Sequence, residues 1–222
     1  MGRHRDWPGC DSAVERMNLS YRACYTRGMF SVEGLESALR SLGAVLEGRG
    51  LSCGVLVAGG SSLLLLGFID RPTADLDVIG MTQGDRYVKA ATIPEPLAAA
   101  ASDVGAALGL AANWLNNGPA SLFDFGLPEG FETRVSVLRY GTLDVHVMGR
   151  FDLLCFKLYA AVDQSGLRES KHLVDLRALE PTPQELRRAA LWTRTHDPSE
   201  GFNQELIKVL ARLELEPGDG DL

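Results

Sequence analysis

The chain has 222 residues, of which 45% are hydrophobic and 23% charged, with a formal net charge of −7 and a pI of about 5.1. This composition is typical of a globular protein that buries a sizeable core in one domain, with or without a helical appendage. The acidic charge argues against a protein that coats nucleic acids through a generally basic surface, although it is compatible with a local basic groove.

Residues 1–28 show no helical or strand period and are predicted to form a poorly ordered N-terminal extension. Residues 29–148 follow as an α/β core. Apolar spacing with Gly or Pro boundaries predicts the elements of this core in the following order: a helix over 32–47, a strand over 52–58, a turn at 59–60, a short helix over 61–68, a strand over 74–79, a helix over 95–110, a loop over 113–118, and strands over 133–138 and 141–147.

From residue 149 to residue 215 the apolar spacing is helical, and a Gly/Asp-rich tail follows over 216–222. The helices of this segment are predicted over 151–162, 169–179, 183–195 and 202–213. The expected fold class is therefore α/β (α+β), with a small mixed sheet flanked by helices and followed by a C-terminal helical segment.

The four cysteines have neither the spacing of a metal site nor that of a redox pair, and a disulfide framework is not expected in a chain of this size. The N-terminal residues are polar and lack the apolar stretch of a signal peptide. The apolar run over 61–68 is too short to cross a membrane. We therefore expect a cytoplasmic protein that does not bind a membrane.

Two glycines and two aspartates form the most informative pattern of the sequence. Gly59 and Gly60 end an apolar strand, and Asp75 and Asp77 lie two positions apart on the next one. Alternate residues of a strand share a face, so the two carboxylates repel each other unless a cation lies between them. A small-residue turn before a helix offers N–H groups to a phosphate. Each half alone is more typical of a ligand-free turn or a solvated strand, but together they predict metal-assisted chemistry on a nucleoside triphosphate.

Gly60-Ser61, thirteen intervening residues and Asp75-Leu76-Asp77-Val78 resemble the signature of the DNA polymerase β superfamily of nucleotidyltransferases. With Arg71 and Thr73 in front of the aspartates, the pattern is more narrowly similar to the AbiEii-type and MenT-type toxin nucleotidyltransferases. The resemblance covers roughly residues 32–180. It includes three later segments: the stretch from Pro94 to Gly118 with its Ala-rich helix and Trp114-Leu115-Asn116, then Asp152-Leu153-Leu154-x-x-Lys157-Leu158-x-Ala160, and Lys171-x-x-x-Asp175-Leu176.

The resemblance implies a Mg²⁺-dependent enzyme that transfers a nucleoside monophosphate from an NTP such as ATP to an acceptor. Asp75 and Asp77 would be the metal ligands, which agrees with the preference of Mg²⁺ for carboxylates beside phosphates. The nucleotide-binding residues would be Gly59, Gly60, Ser61, Ser62, Arg71 and Thr73.

Three further residues complete the predicted catalytic set. Asp144 is the candidate third acid, as base or metal ligand, on a strand expected beside that of Asp75 and Asp77; a polar sheet edge is an equal alternative. Lys157 lies in an apolar helix, where an unpaired ammonium is costly, and the resemblance makes it a phosphate ligand rather than part of an exposed stripe. Asp175, on the next helix, is expected to pair with Lys157 or to reach the active site.

By resemblance, the acceptor would be a tRNA 3′ end or a protein hydroxyl, and the protein would belong to a toxin–antitoxin or phage-defence system with a cognate antitoxin. Two alternatives remain. One is a catalytically inactive antitoxin or regulator on the same fold, against which the intact Asp75 and Asp77 argue. The other is an aminoglycoside-type transferase, whose cationic acceptor suits an acidic chain.

Overall fold

The structure, a computed structural model, describes residues 29–164 and 170–213. The predicted N-terminal extension over 1–28 and the predicted tail over 216–222 lie outside the described residues. None of the helices in the described ranges is long and apolar enough to cross a membrane.

The described elements alternate between helices and strands up to residue 147 and are helical from residue 150 onwards. In chain order they are α1 (Val32–Gly48), β1 (Cys53–Ala58), α2 (Gly59–Leu65), β2 (Leu76–Gln83), β3 (Arg86–Lys89), α3 (Glu95–Leu108), β4 (Leu115–Asn116), two 3₁₀ helices (Gly118–Phe125 and Phe131–Arg134), β5 (Ser136–Tyr140), β6 (Leu143–Val147), α4 (Arg150–Asp163), α5 (Lys171–Ala178), α6 (Pro183–His196) and α7 (Glu200–Arg212).

The strands form one mixed sheet in the order β3-β2-β1-β6-β5, and β4 adds a short parallel pairing to β2. β1 pairs antiparallel with β2 and parallel with β6, and the β2–β3 and β5–β6 pairs are antiparallel. The buried apolar side chains of the strands and helices form one hydrophobic core. The predicted α/β fold with a mixed sheet and a C-terminal helical segment is therefore confirmed. The division of the chain at residue 149 stays a prediction.

Three parts of the sheet differ from the sequence prediction. The strand predicted over 74–79 begins only at Leu76, so Asp75 lies just before it, and it extends to Gln83 and turns at Gly84 into β3, which the sequence analysis missed. The loop predicted over 113–118 contains the short strand β4. The strand predicted over 133–138 is wrong at its start, where the chain is a 3₁₀ helix up to Arg134. There the guanidinium of Arg134 donates to the buried carboxylate of Asp152, with Nη2–Oδ1 at 2.5 Å, so a contact distant in sequence sets the local structure.

The central strand β1 positions the site. Ala58, its last residue, lies opposite Asp77 of β2, and α2 begins at the next residue. On the other side of β2, Asn116 of β4 lies opposite the same aspartate. Helix α4 packs against α2 and is itself contacted by α5, α6 and α7, so the C-terminal helices are held next to the end of β1.

The packing of α1 on β5 yields a prediction for stability. A Cβ added to Gly43 would lie 1.8 Å from the carbonyl oxygen of Tyr140, whereas one added to Gly48 would meet nothing within 4 Å. We expect Gly43→Ala to lower the free energy of unfolding by about 1–3 kcal/mol, because the helix must move off the strand. The matched variant Gly48→Ala should leave it unchanged or raise it by up to about 1 kcal/mol. Urea denaturation of both variants tests this, and equal effects would contradict it.

Candidate active site

The glycine pair brings the backbone against a carboxylate. A Cβ on Gly59 would lie 2.3 Å from Oδ2 of Asp77, and the φ of Gly59, +83°, also favours glycine. A Cβ on Gly60 would lie 3.1 Å from Oγ1 of Thr73. The two glycines are the first residues of α2 and not a separate turn, which corrects the sequence prediction at this point. Their lack of side chains lets the start of α2 lie directly against the start of β2.

Asp75 and Asp77 line the same cavity, although only Asp77 lies on β2 and Asp75 comes just before its first residue. Burial, and next to it the charge of Asp75, raises the pKa of Asp77 from its ordinary value to about 6. A hydrogen bond from Asn116 and the charges of Lys157 and Lys171 act in the opposite direction. The ionised pair is therefore electrostatically unfavourable without a cation, which is the behaviour expected of two carboxylates that share a metal.

A fully buried carboxylate, that of Asp175, holds two basic side chains at this cavity. Arg71 donates to it from Nε at 2.8 Å and from Nη2 at 2.6 Å, and Nζ of Lys157 lies 2.8 Å from its Oδ2. The expectation that Asp175 pairs with Lys157 is confirmed, and Arg71 is a second partner. We call Arg71, Lys157 and the exposed Lys171, which all line the cavity, the basic cluster.

The pKa values agree with a charged ion triad. Burial disfavours the charge of Asp175, but the hydrogen bonds and charges of Arg71 and Lys157 outweigh it, and the pKa of Asp175 is lower than usual. Burial lowers the pKa of Lys157, and Asp175 counteracts this effect. Removing one member would leave buried charge without compensation, which is costly in a protein interior.

The cavity between these groups has a volume of about 120 Å³. Besides the glycines, carboxylates and basic cluster, it is lined mainly by small or apolar residues: Ala58, Pro119, Leu122, Phe156 and Ala160. Sites that enclose a whole small molecule usually span about 300–1,000 Å³. The enclosed space therefore suits a group of phosphate size, and a nucleoside attached to it would lie at the mouth.

Ser61 and Ser62 differ from the predicted phosphate cradle. The cavity is lined by Gly59 and Gly60 but not by the two serines, whose side chains are fully buried. Ser61 Oγ donates to the carbonyl of Ala58 at 3.4 Å, and Ser62 Oγ has no hydrogen-bond partner among the described residues. The structure thus brings the glycines, but not the serine hydroxyls, to the cavity.

Asp144 lies away from the cavity, and the expectation that its strand is the neighbour of β2 is wrong. Its strand, β6, pairs with β1, which separates it from β2. Asp144 lies opposite Gly54, four residues before Ala58, which is about 13 Å along the strand. There it pairs with Arg139 at 3.6 Å and lines a different groove. The structure gives no support to Asp144 as the third acid of this site.

His172 and Asn116 were missed as site residues. His172 is buried and lines the cavity, and Asn116 of β4 lies opposite Asp77, whose pKa its side chain helps to lower. The sequence analysis did not assign a role to His172. One signal was available, because His172 and Asp175 are three positions apart and therefore share a helix face. Asn116 belonged to the resemblance through Trp114-Leu115-Asn116, but its position opposite Asp77 could not be predicted, because it depends on the pairing of β4 with β2.

The raised pKa of Asp77 predicts a pH-dependent gain of stability in Asp77→Asn. A carboxyl whose pKa rises on folding stabilises the fold below about pH 4, and this contribution is lost as the pH rises through about 6. Without divalent cations, Asp77→Asn should therefore be about 1–2 kcal/mol more stable than the wild type at pH 8, with the difference fading towards pH 4. Urea denaturation in EDTA measures it. The variant Asp70→Asn, at an exposed carboxylate, is the control and should show no pH-dependent stability difference of this kind. If Asp77→Asn is less stable than the wild type at pH 8, the raised pKa of Asp77 is contradicted.

Comparison with known proteins places the chain in a family. Residues 35–171, more than half of the chain, match a family described as a nucleotidyltransferase of unknown function (DUF6036). The matched range contains the glycines, both aspartates and Lys157, and it ends at Lys171. Neither the curated proteins nor the solved structures gave a match. The chain thus belongs to the DUF6036 nucleotidyltransferase family.

Proposed function

We propose that the protein is a Mg²⁺-dependent enzyme that transfers a nucleoside monophosphate from an NTP, such as ATP, to an acceptor hydroxyl. The observation that carries this proposal is the meeting of Asp75 and Asp77 with the basic cluster at one cavity, beside the glycine start of α2. A carboxylate pair next to cations is suited to a metal-bound polyphosphate, because each charged half of the site neutralises the complementary half of the ligand.

The donor set fits Mg²⁺ better than a softer metal. In the described residues no group of three or more His, Cys, Asp or Glu side chains could hold a metal ion. Mg²⁺ commonly binds through one or two carboxylates and completes its coordination with water and substrate phosphates, whereas zinc sites usually have at least three protein ligands. Asp75 and Asp77 would hold the ion, and when bound it would neutralise the phosphates and assist an in-line displacement.

In the reaction, the acceptor oxygen forms a bond to the α-phosphorus, and the bond from that phosphorus to the bridging oxygen breaks. Pyrophosphate leaves with the electron pair, and the acceptor proton passes to water. Arg71, Lys157 and Lys171 would hold the negative charge that develops on the leaving group. Gly59 would keep Asp77 in place, because any larger residue would displace its carboxylate.

The resemblance to toxin nucleotidyltransferases supports a more specific setting. We propose a tRNA 3′ end or a protein hydroxyl as the acceptor, and a cytoplasmic toxin–antitoxin or phage-defence module with a cognate antitoxin as the context. The inactive antitoxin or regulator is less well supported, since both carboxylates and the basic cluster are present together. An aminoglycoside-type acceptor rests only on the acidic charge of the chain.

The direct test is nucleotidyl transfer. The protein is incubated with each α-labelled NTP, Mg²⁺ and either total tRNA, cell protein or an aminoglycoside, and labelled acceptor is measured. We expect labelled tRNA or protein, and no label when Mg²⁺ is removed with a chelator. In Asp75→Asn and Asp77→Asn the transfer rate should fall by about 100-fold or more. Asp70→Asn, an exposed carboxylate outside the cavity, is the matched control. Asp144→Asn should also stay active, because Asp144 lies in another groove.

Transfer to none of these acceptors, under conditions in which the protein is folded, would reject the enzyme and favour the inactive regulator. Label on the aminoglycoside alone would show that the acceptor is a small molecule and not tRNA or protein. Loss of activity in Asp144→Asn would restore that residue to the catalytic set. Activity that is independent of Asp77 would reject the site itself.

The close approach of Gly59 to Asp77 gives a second test of the site. Gly59 and Gly67 both have positive φ, +83° and +74°, but an added Cβ meets Asp77 only at Gly59 and meets nothing at Gly67. Both alanine variants should lose about 1 kcal/mol of stability through backbone strain. Only Gly59→Ala should lose transfer activity, by about 100-fold, because a displacement near 1 Å is enough to disturb a reacting geometry. Equal activities would argue against a role for this contact.

A further inference from the structure

His172 has a buried imidazole ring that the proposed mechanism does not yet use. Its residue is 8% exposed, and neither Nδ1 nor Nε2 has a partner among the described residues. Buried polar groups in folded proteins are nearly always satisfied, because an unpaired one forfeits its hydration. His172 lies on α5, one helical turn before Asp175, and it lines the cavity together with the basic cluster. The unpaired ring is therefore placed where a ligand would supply its partner.

The surroundings of His172 keep the ring neutral. Burial is the main reason that its pKa falls to about 4, and the charges of Lys157, Lys171 and Arg71 act in the same direction, against that of Asp175. A neutral imidazole carries one N–H donor and one acceptor nitrogen. At neutral pH the group can thus donate a hydrogen bond to a phosphate oxygen, but it removes protons poorly, since an effective general base has a pKa near the working pH.

We propose that His172 donates a hydrogen bond to the pyrophosphate portion of the bound nucleoside triphosphate, the group that leaves in the reaction; this inference rests on the proposed function. The three side chains of the basic cluster line the same cavity as His172, and Asp175 compensates only part of their charge, so an anion is the ligand that suits this part of the cavity. The cavity accommodates a group of phosphate size. The carboxylates Asp75 and Asp77 serve the metal-bound part of the same ligand, and the basic cluster with His172 takes the remaining phosphates.

The test compares two substitutions of different chemistry. His172→Leu removes the donor, and His172→Gln keeps an N–H donor. The matched control variant is His146→Gln. His146 does not line the cavity, and its Nδ1 is hydrogen-bonded to the hydroxyl of Tyr87 at 2.8 Å. Binding of inorganic pyrophosphate with Mg²⁺ is measured by calorimetry, KM and kcat for the NTP by transfer assay, and stability by urea denaturation.

We expect His172→Leu to bind pyrophosphate about 10- to 100-fold more weakly and to raise KM for the NTP similarly, as fits the loss of a hydrogen bond to a charged group. His172→Gln should retain affinity within a few-fold of the wild type, and His146→Gln should be unchanged. The urea midpoint of His172→Leu should equal or exceed that of the wild type, because an unpaired buried polar group has been removed.

Other outcomes overturn the inference. A fall of kcat with unchanged pyrophosphate affinity would make His172 a base, and a loss of affinity that follows a loss of stability in both variants would make it a structural residue. If the wild type transfers nucleotides and His172→Leu binds pyrophosphate equally well, this inference fails while the proposed function stands. If the wild type binds neither NTP nor pyrophosphate, both fail.

Discussion

The fully buried carboxylate of Asp175 is the interaction on which the site depends. It joins three parts of the chain that are far apart in sequence: Arg71 before β2, Lys157 on α4 and Asp175 itself on α5. An ion triad of this kind contributes little net stability, because the desolvation of its charges offsets most of their attraction. Its effect is positional, since it holds two cations at the cavity.

The site combines several features that are unfavourable in the absence of a ligand. Asp75 and Asp77 repel each other, and the basic cluster concentrates positive charge in a small space. His172 is buried with no hydrogen-bond partner in the part of the chain that the structure describes. A polyphosphate with its cation, the ligand proposed above, would remove each of these costs. Stability given up at a site in this way is typical of functional regions, where a surface complementary to the ligand cannot also be optimal for the empty protein.

The local part of the site could be predicted from the sequence, because Gly59, Gly60 and the two aspartates are brought together by one strand, one helix and the return strand. Asp144 could not be placed in the same way. The alternating pattern of β6 would fit a strand next to β2 equally well, and the strand with which β6 pairs depends on contacts across the whole sheet. β1 takes both β2 and β6 as neighbours and so separates Asp144 from the cavity. Likewise, the contact of Arg134 with Asp152 overrides the strand pattern over 133–138.

For the basic half of the site, sequence-based prediction was limited in a different way. The pairing of Lys157 with Asp175 could be expected, because a lysine in an apolar helix needs a counter-charge. Whether a histidine next to it is buried and unpaired depends on which side chains surround it, and spacing does not report this. His172 lacked metal-ligand spacing, yet the packing of α5 against α4 makes it a lining residue of the cavity. Motif spacing therefore identifies the groups that a strand brings together, whereas unsatisfied groups that mark where a ligand binds become visible only once the helices are packed.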